Sequence, residues 1–213
     1  MSPVIDCTSE SGRGEGVAAA VTAIRSGRLV VLPTDTVYGV GADAFSADAV
    51  TRLLEAKGRG RQMPPAVLVA EPRTVEGLAI DVPAYALDLI DAFWPGPLTL
   101  ILKAQPSLRW DLGDTNGTVG LRMPDDELAR AVLAETGPMA VSSANTTGQR
   151  PATTITQAAA MLGPAVDVYL DAGPSHGGLA STIVDCTREE PTVLRVGGIA
   201  TEQVVRTTFR DDG

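Results

Sequence analysis

Leu29-Val30-Val31-Leu32-Pro33-Thr34-Asp35-Thr36-Val37-Tyr38-Gly39-Val40-Gly41 is the stretch from which the fold is read. Its first four residues form an uninterrupted apolar run closed by a proline, the pattern of a short strand buried on both faces. From Thr34 to Gly41 the chain is too polar and too rich in glycine to continue that strand, so a loop is expected there. A buried strand that delivers hydroxyl groups and a carboxylate into a loop is one unit of an α/β protein.

The neighbouring segments repeat the pattern. Upstream, residues 1–15 are polar and Gly-rich and are expected to lie outside the domain. Residues 16–26 then place Val17, Ala20, Val21 and Ile24 on one helical face, with Gly27 as the stop. Downstream, Ser46 caps a helix with Val50, Leu53 and Leu54 on one face, and Gly58 ends it. The basic residues Lys57, Arg59 and Arg61 therefore fall at a helix C-terminus and in the loop beyond. Further strands are expected at 66–69, 98–102, 119–123, 139–142, 166–170, 182–186 and 192–196, and helices at 84–93, 126–136 and 154–162. Residues 16–207 read as a single α/β domain with a mixed sheet, and 208–213 as a tail whose last residues fray.

Composition narrows the function. With 213 residues, 44% apolar and 20% charged, the chain is long enough to bury a core without staples. Cys7 and Cys186 have no CxxC spacing and read as small buried hydrophobes. A formal charge of −9 opposes tight binding of nucleic acid through bulk electrostatics. No apolar stretch approaches the length of a membrane helix and no leader pattern opens the chain, so a cytoplasmic protein is expected.

The familiar signatures GxxxxGK[ST], strand-borne GxGxxG, HExxH and GxSxG are missing, and His176, the one histidine, lies in a Gly-rich loop and reads as a solvated imidazole. What remains is a set of strand-following loops that carry hydroxyl, amide and guanidinium groups: Thr34 and Thr36 around Asp35; Lys57 and Arg59; Thr118 and Arg122; Ser142, Ala144 and Asn145; Ser181; Arg195. Such groups hold and orient an anion rather than attack one. Taken singly, each has a plainer reading. The basic run suits a solvated helix end that could be changed to Ala without loss of stability, and Ser142 and Asn145 suit a turn. Arg122 and Arg195 lie in apolar strands, where a guanidinium needs anionic or carbonyl partners.

Seven segments, in order, resemble the YrdC family of threonylcarbamoyl-adenylate synthases: Pro33-Thr34-Asp35-Thr36-Val37-Tyr38-Gly39, Glu55-Ala56-Lys57-Gly58-Arg59, Phe93-Trp94-Pro95-Gly96-Pro97-Leu98-Thr99, Val119-Gly120-Leu121-Arg122-Met123-Pro124, Ser142-Ser143-Ala144-Asn145 with Gly148, Ser181-Thr182-Ile183-Val184-Asp185, and Leu194-Arg195-Val196-Gly197. The resemblance implies a YrdC-like twisted mixed β-sheet with flanking helices around an open cleft, in the short single-domain form. It implies a nucleotidyltransferase that joins L-threonine, bicarbonate and ATP into threonylcarbamoyl-AMP, releases pyrophosphate, and so supplies the tRNA-modifying transferase that acts beside the anticodon. By matching positions, Thr36, Arg122, Ser142 and Ser181 would hold threonine. Lys57, Arg59, Thr118, the Ala144 backbone, Asn145 and Arg195 would hold the nucleotide, with Lys57 and Arg59 as the catalytic cations and Mg²⁺ riding on the phosphates. Many relatives follow the basic segment with Asn-Pro-Leu and a histidine; this chain has Met63-Pro64-Pro65 and Leu68, to which no role carries over. The alternative from the binding class is an RNA-binding or ribosome-associated module using residues 57–61, which the net acidity disfavours. A carbamoyl-transfer component of the hydrogenase-maturation type would carry CxxC zinc fingers, and this chain has none.

Overall fold

The computed structural model describes residues 2–175 and 178–208; His176 and the end of the expected tail, residues 209–213, lie outside them. The strands are β1 (Val4–Asp6), β2 (Val30–Leu32), β3 (Gly39–Asp43), β4 (Ala66–Leu68), β5 (Ala79–Ile80), β6 (Leu98–Ala104), β7 (Thr118–Arg122), β8 (Met139–Ser143), β9 (Val168–Asp171), β10 (Thr182–Asp185) and β11 (Thr192–Arg195). The helices are α1 (Glu10–Arg25), α2 (Ala47–Ala56), α3 (Val75–Leu78), α4 (Ala84–Phe93), α5 (Glu127–Thr136), α6 (Ile155–Leu162) and α7 (Thr201–Thr208). One mixed sheet runs β1-β9-β2-β3-β8-β4-β7-β6-β10-β11, with β5 paired to β6.

Three expectations change. Residues 1–15 are part of the fold: Ile5 pairs with Leu170 in a parallel ladder, and α1 starts at Glu10 because Ser9 caps it by accepting from the Gly12 N–H at 3.2 Å. Gly12 in this segment and Gly16 just beyond it are needed for close packing. A Cβ on Gly12 would lie 2.0 Å from the Asp6 carbonyl oxygen, and one on Gly16 would lie 2.5 Å from Cys7 Sγ. Second, the loop expected to run to Gly41 ends at Tyr38. Gly39–Asp43 is a strand, antiparallel to both β2 and β8. Third, Thr208, expected as the first residue of the tail, is the last residue of α7, a helix that the sequence reading did not place and whose Val204 is buried.

The two faces of the sheet are covered unequally, and this creates the site. On one face α2, α3, α4, α6 and α7 pack against Val67, Leu100, Leu102 and Leu121 in the larger core. On the other, α1 and α5 cover a smaller core around Val30, Leu32, Met139 and Leu170. Beyond the reach of α1 and α5 that second face is open. Strand periodicity then puts Thr99 and Ile101 of β6 and Gly120 and Arg122 of β7 into the opening, while Leu98, Leu100 and Leu121 point into the larger core.

Candidate active site

The opening is a cleft with a cavity volume of about 280 Å³. Its walls come from the loop after β2, the segment after α2, the open faces of β4, β6, β7 and β8, and residues 180–183 with Arg195. Seven of the expected site residues line it: Thr36, Arg59, Thr118, Arg122, Ser142, Ser181 and Arg195. Lys57, Ala144 and Asn145 are fully or almost fully buried and are not among the lining residues. The Ala144 N–H is already spent on the Tyr38 carbonyl at 2.7 Å, and the Asn145 amide nitrogen donates to the carbonyls of Thr146 and Gln149.

Arg122 is 7% exposed and held on three sides. Its Nε donates to the Gly96 carbonyl at 3.0 Å, Nη1 to Thr36 Oγ1 at 3.0 Å, and Nη2 to Asp35 Oδ1. The Thr36 hydroxyl is itself fixed by Thr34, whose Oγ1 lies 2.9 Å away and donates to the Val37 carbonyl. Burial pulls the Arg122 guanidinium below its ordinary pKa, Asp35 opposes this, and Arg195 adds to it. Arg59 Nη1 donates to Ser142 Oγ at 2.8 Å, and its Nε is buried without a partner. Arg195 reaches across from β11 to the Ser181 carbonyl and hydroxyl, and that hydroxyl meets Thr99 Oγ1 at 2.8 Å. Burial lowers the pKa of Arg59, with Arg195 as the second cause, and burial lowers that of Arg195.

Three guanidinium groups therefore face one cleft, and among the described residues none that lines it is acidic. Asp35 balances Arg122 from behind, leaving Arg59 and Arg195 without a carboxylate partner among the described residues. Two half-buried guanidiniums without carboxylate partners call for an anion. The remaining wall is apolar where Pro64, Pro65, Leu68 and Val141 meet, so Leu68 presents aliphatic surface to whatever binds beside Arg122. Met63 does not line the cleft; it is exposed.

The sequence reading left Asp35, Thr34, Thr99 and Gly96 without roles. The signal for Asp35 was present: an arginine within an apolar strand requires an anion, and Asp35 is the carboxylate of the polar loop. The expectation that Lys57 is exposed, so that its change to Ala would leave stability unchanged, fails, because Lys57 is buried. No group of three His, Cys, Asp or Glu side chains that could hold a metal occurs among the described residues. With hydroxyls and guanidiniums as its donors, the cleft does not fit a resident Mg²⁺.

Fold and cleft define an α/β protein built to hold a polyanion beside a small polar molecule. The profile of the Sua5/YciO/YrdC family, described as telomere recombination, matches residues 22–197, and the chain belongs to that family. A Mycobacterium leprae protein provisionally named threonylcarbamoyl-AMP synthase is 54% identical over 204 residues, 96% of this chain and 93% of its own. The threonylcarbamoyl-AMP synthase of Bacillus subtilis is 39% identical over 94% of this chain and 59% of its own. The crystal structure of P. abyssi Sua5 complexed with L-threonine superposes with a TM-score of 0.92 at 33% identity, over 98% of this chain and 61% of that one.

Proposed function

We propose that the protein is a threonylcarbamoyl-AMP synthase. It joins L-threonine, bicarbonate or carbon dioxide, and ATP, and hands the adenylate to the transferase that modifies tRNA in the cytoplasm. The observation that carries this reading is the cleft with three arginines and no acidic lining, in a chain of this family. The threonine amine captures carbon dioxide as a carbamate, the carbamate oxygen attacks the α-phosphorus, and the P–O bond to the β-phosphate breaks with release of pyrophosphate. The substrate supplies the nucleophile, which suits a cleft lined, among the described residues, by hydroxyls and guanidiniums and by neither His nor Cys.

Arg122, Thr36, Ser142 and Ser181 take the amino acid, with Leu68 against its methyl group. Arg59, Thr118 and Arg195 take the nucleotide. These groups act by alignment and by stabilising charge on the phosphates. Magnesium enters with ATP and is not held by this chain's side chains.

Mass spectrometry of an incubation with threonine, bicarbonate and ATP tests the reading. A nucleotide heavier than AMP by a threonylcarbamoyl group is expected, with pyrophosphate release only when all three substrates are present. Release at the same rate without threonine would mean an ordinary ATPase.

A further inference from the structure

Lys57 is 2% exposed, and its ammonium has no carboxylate partner among the described residues. It donates instead to the backbone carbonyls of Ser143 and Asn145. Its own carbonyl accepts the Thr147 N–H at 2.8 Å. One residue thus grips the turn after β8 at three points, immediately beyond Ser142. Two residues further along the chain, Arg59 grips the Ser142 hydroxyl from the cleft side. The turn needs such a clamp. Ser143 ends the β8 ladder and its carbonyl also accepts the Asn145 N–H at 2.9 Å, whereas the Asn145 carbonyl lies past the ladder, where a buried carbonyl without a donor is costly.

We infer that Lys57 is a positioning residue: its ammonium pins the backbone of the turn after β8, keeps Ser142 aligned in the cleft, and acts on substrate through Ser142 rather than by touching phosphate. This rests on reading the cleft as the site for threonine and ATP. It departs from the role that the basic segment suggested, in which Lys57 and Arg59 were paired as cations on the nucleotide. Arg59 lines the cleft, whereas Lys57 does not and reaches the carbonyls of Ser143 and Asn145 instead. A buried cation with two carbonyl partners is kept at a cost. Burial, then the charge of Arg59, lowers its pKa to about 8. An apolar side chain would avoid that cost but would leave the Asn145 carbonyl unpaired and the Ser143 carbonyl with the Asn145 N–H alone.

The test compares Lys57→Met and Lys57→Arg with the wild-type chain by calorimetric titration of threonine and, separately, of pyrophosphate. Lys57→Met is expected to weaken threonine binding by about tenfold or more while pyrophosphate binding stays within about threefold, and Lys57→Arg to recover part of the loss. Unchanged threonine affinity, or a loss confined to pyrophosphate, overturns the inference. A wild-type chain that does not bind threonine at all would instead overturn the reading of the cleft.

Should Lys57→Met not fold, the wild-type protein decides. The chain has two lysines, Lys57 and Lys103, so ¹³Cε labelling gives two signals. Their pH titration is recorded with and without pyrophosphate. A positioning lysine keeps its midpoint nearly fixed, whereas a rise of about one unit or more marks a phosphate ligand and overturns the inference.

Discussion

Asp35 and Arg122 set the balance of charge inside the molecule. Their side chains are 13% and 8% exposed, and Arg122 meets any ligand carboxylate already paired with one. The affinity it adds is therefore smaller than an unpaired guanidinium would give, and its contribution to stability is larger than an exposed one would make. Replacing Arg122 with Met leaves Asp35 in a dry site without its cation, which typically costs about 3 to 5 kcal/mol. The expected result in urea denaturation is a loss of that order. Most of it should return in the double variant Asp35→Asn, Arg122→Met, since an apolar and neutral pair is tolerated where a lone charge is not. A double variant as unstable as Arg122→Met would show that the loss arises elsewhere. Threonine binding should be weak in both, which separates the two roles of Arg122.

β3 shows where sequence reading stops. Val40 and Ala42 point into the larger core, and Gly39 and Gly41 face β8 side chains on the other side of the sheet. A Cβ at Gly39 would come 2.7 Å from Val141 Cγ1, and one at Gly41 would come 2.6 Å from Met139 Cε. The branched Val141 cannot swing aside as the end of Met139 can. Gly39→Ala is therefore expected to destabilise by about 1 to 3 kcal/mol and Gly41→Ala by less. Equal urea midpoints for the two would refute this ranking. In sequence the same glycines signal a loop, because a strand position emptied to admit a neighbour looks like one emptied for flexibility. Gly12 and Gly16 hid the start of α1 for the same reason. Where a segment carried its own periodicity and caps, reading was direct: Ser46 caps α2 and α4 spans 84–93 as expected. The cleft was legible as a set of residue types but not as a geometry. That Arg59 enters it and Lys57 does not depends on which partners each reaches in the folded chain, and spacing along the chain does not encode that.

Over the whole molecule, a chain of charge −9 holds a cleft lined by three arginines. The field that draws in a phosphate is local and is opposed by the exterior, so small anions are favoured over long ones. Pyrophosphate affinity is expected to fall as salt is raised. A mobility-shift assay at physiological salt should show only weak binding of tRNA, and salt-sensitive submicromolar binding would contradict the assignment of the cleft to small ligands. The distribution of the cleft along the chain has a further consequence. Its walls begin at Thr34 and close only with Arg195 on β11, and β1 finds its partner only when β9 exists. During synthesis on the ribosome, the emerging chain carries Arg59 and Arg122 long before the opposite wall leaves the exit tunnel. No nascent intermediate short of Arg195 can be rescued by its own ligand, and ATP begins to stabilise this protein only once β11 has emerged.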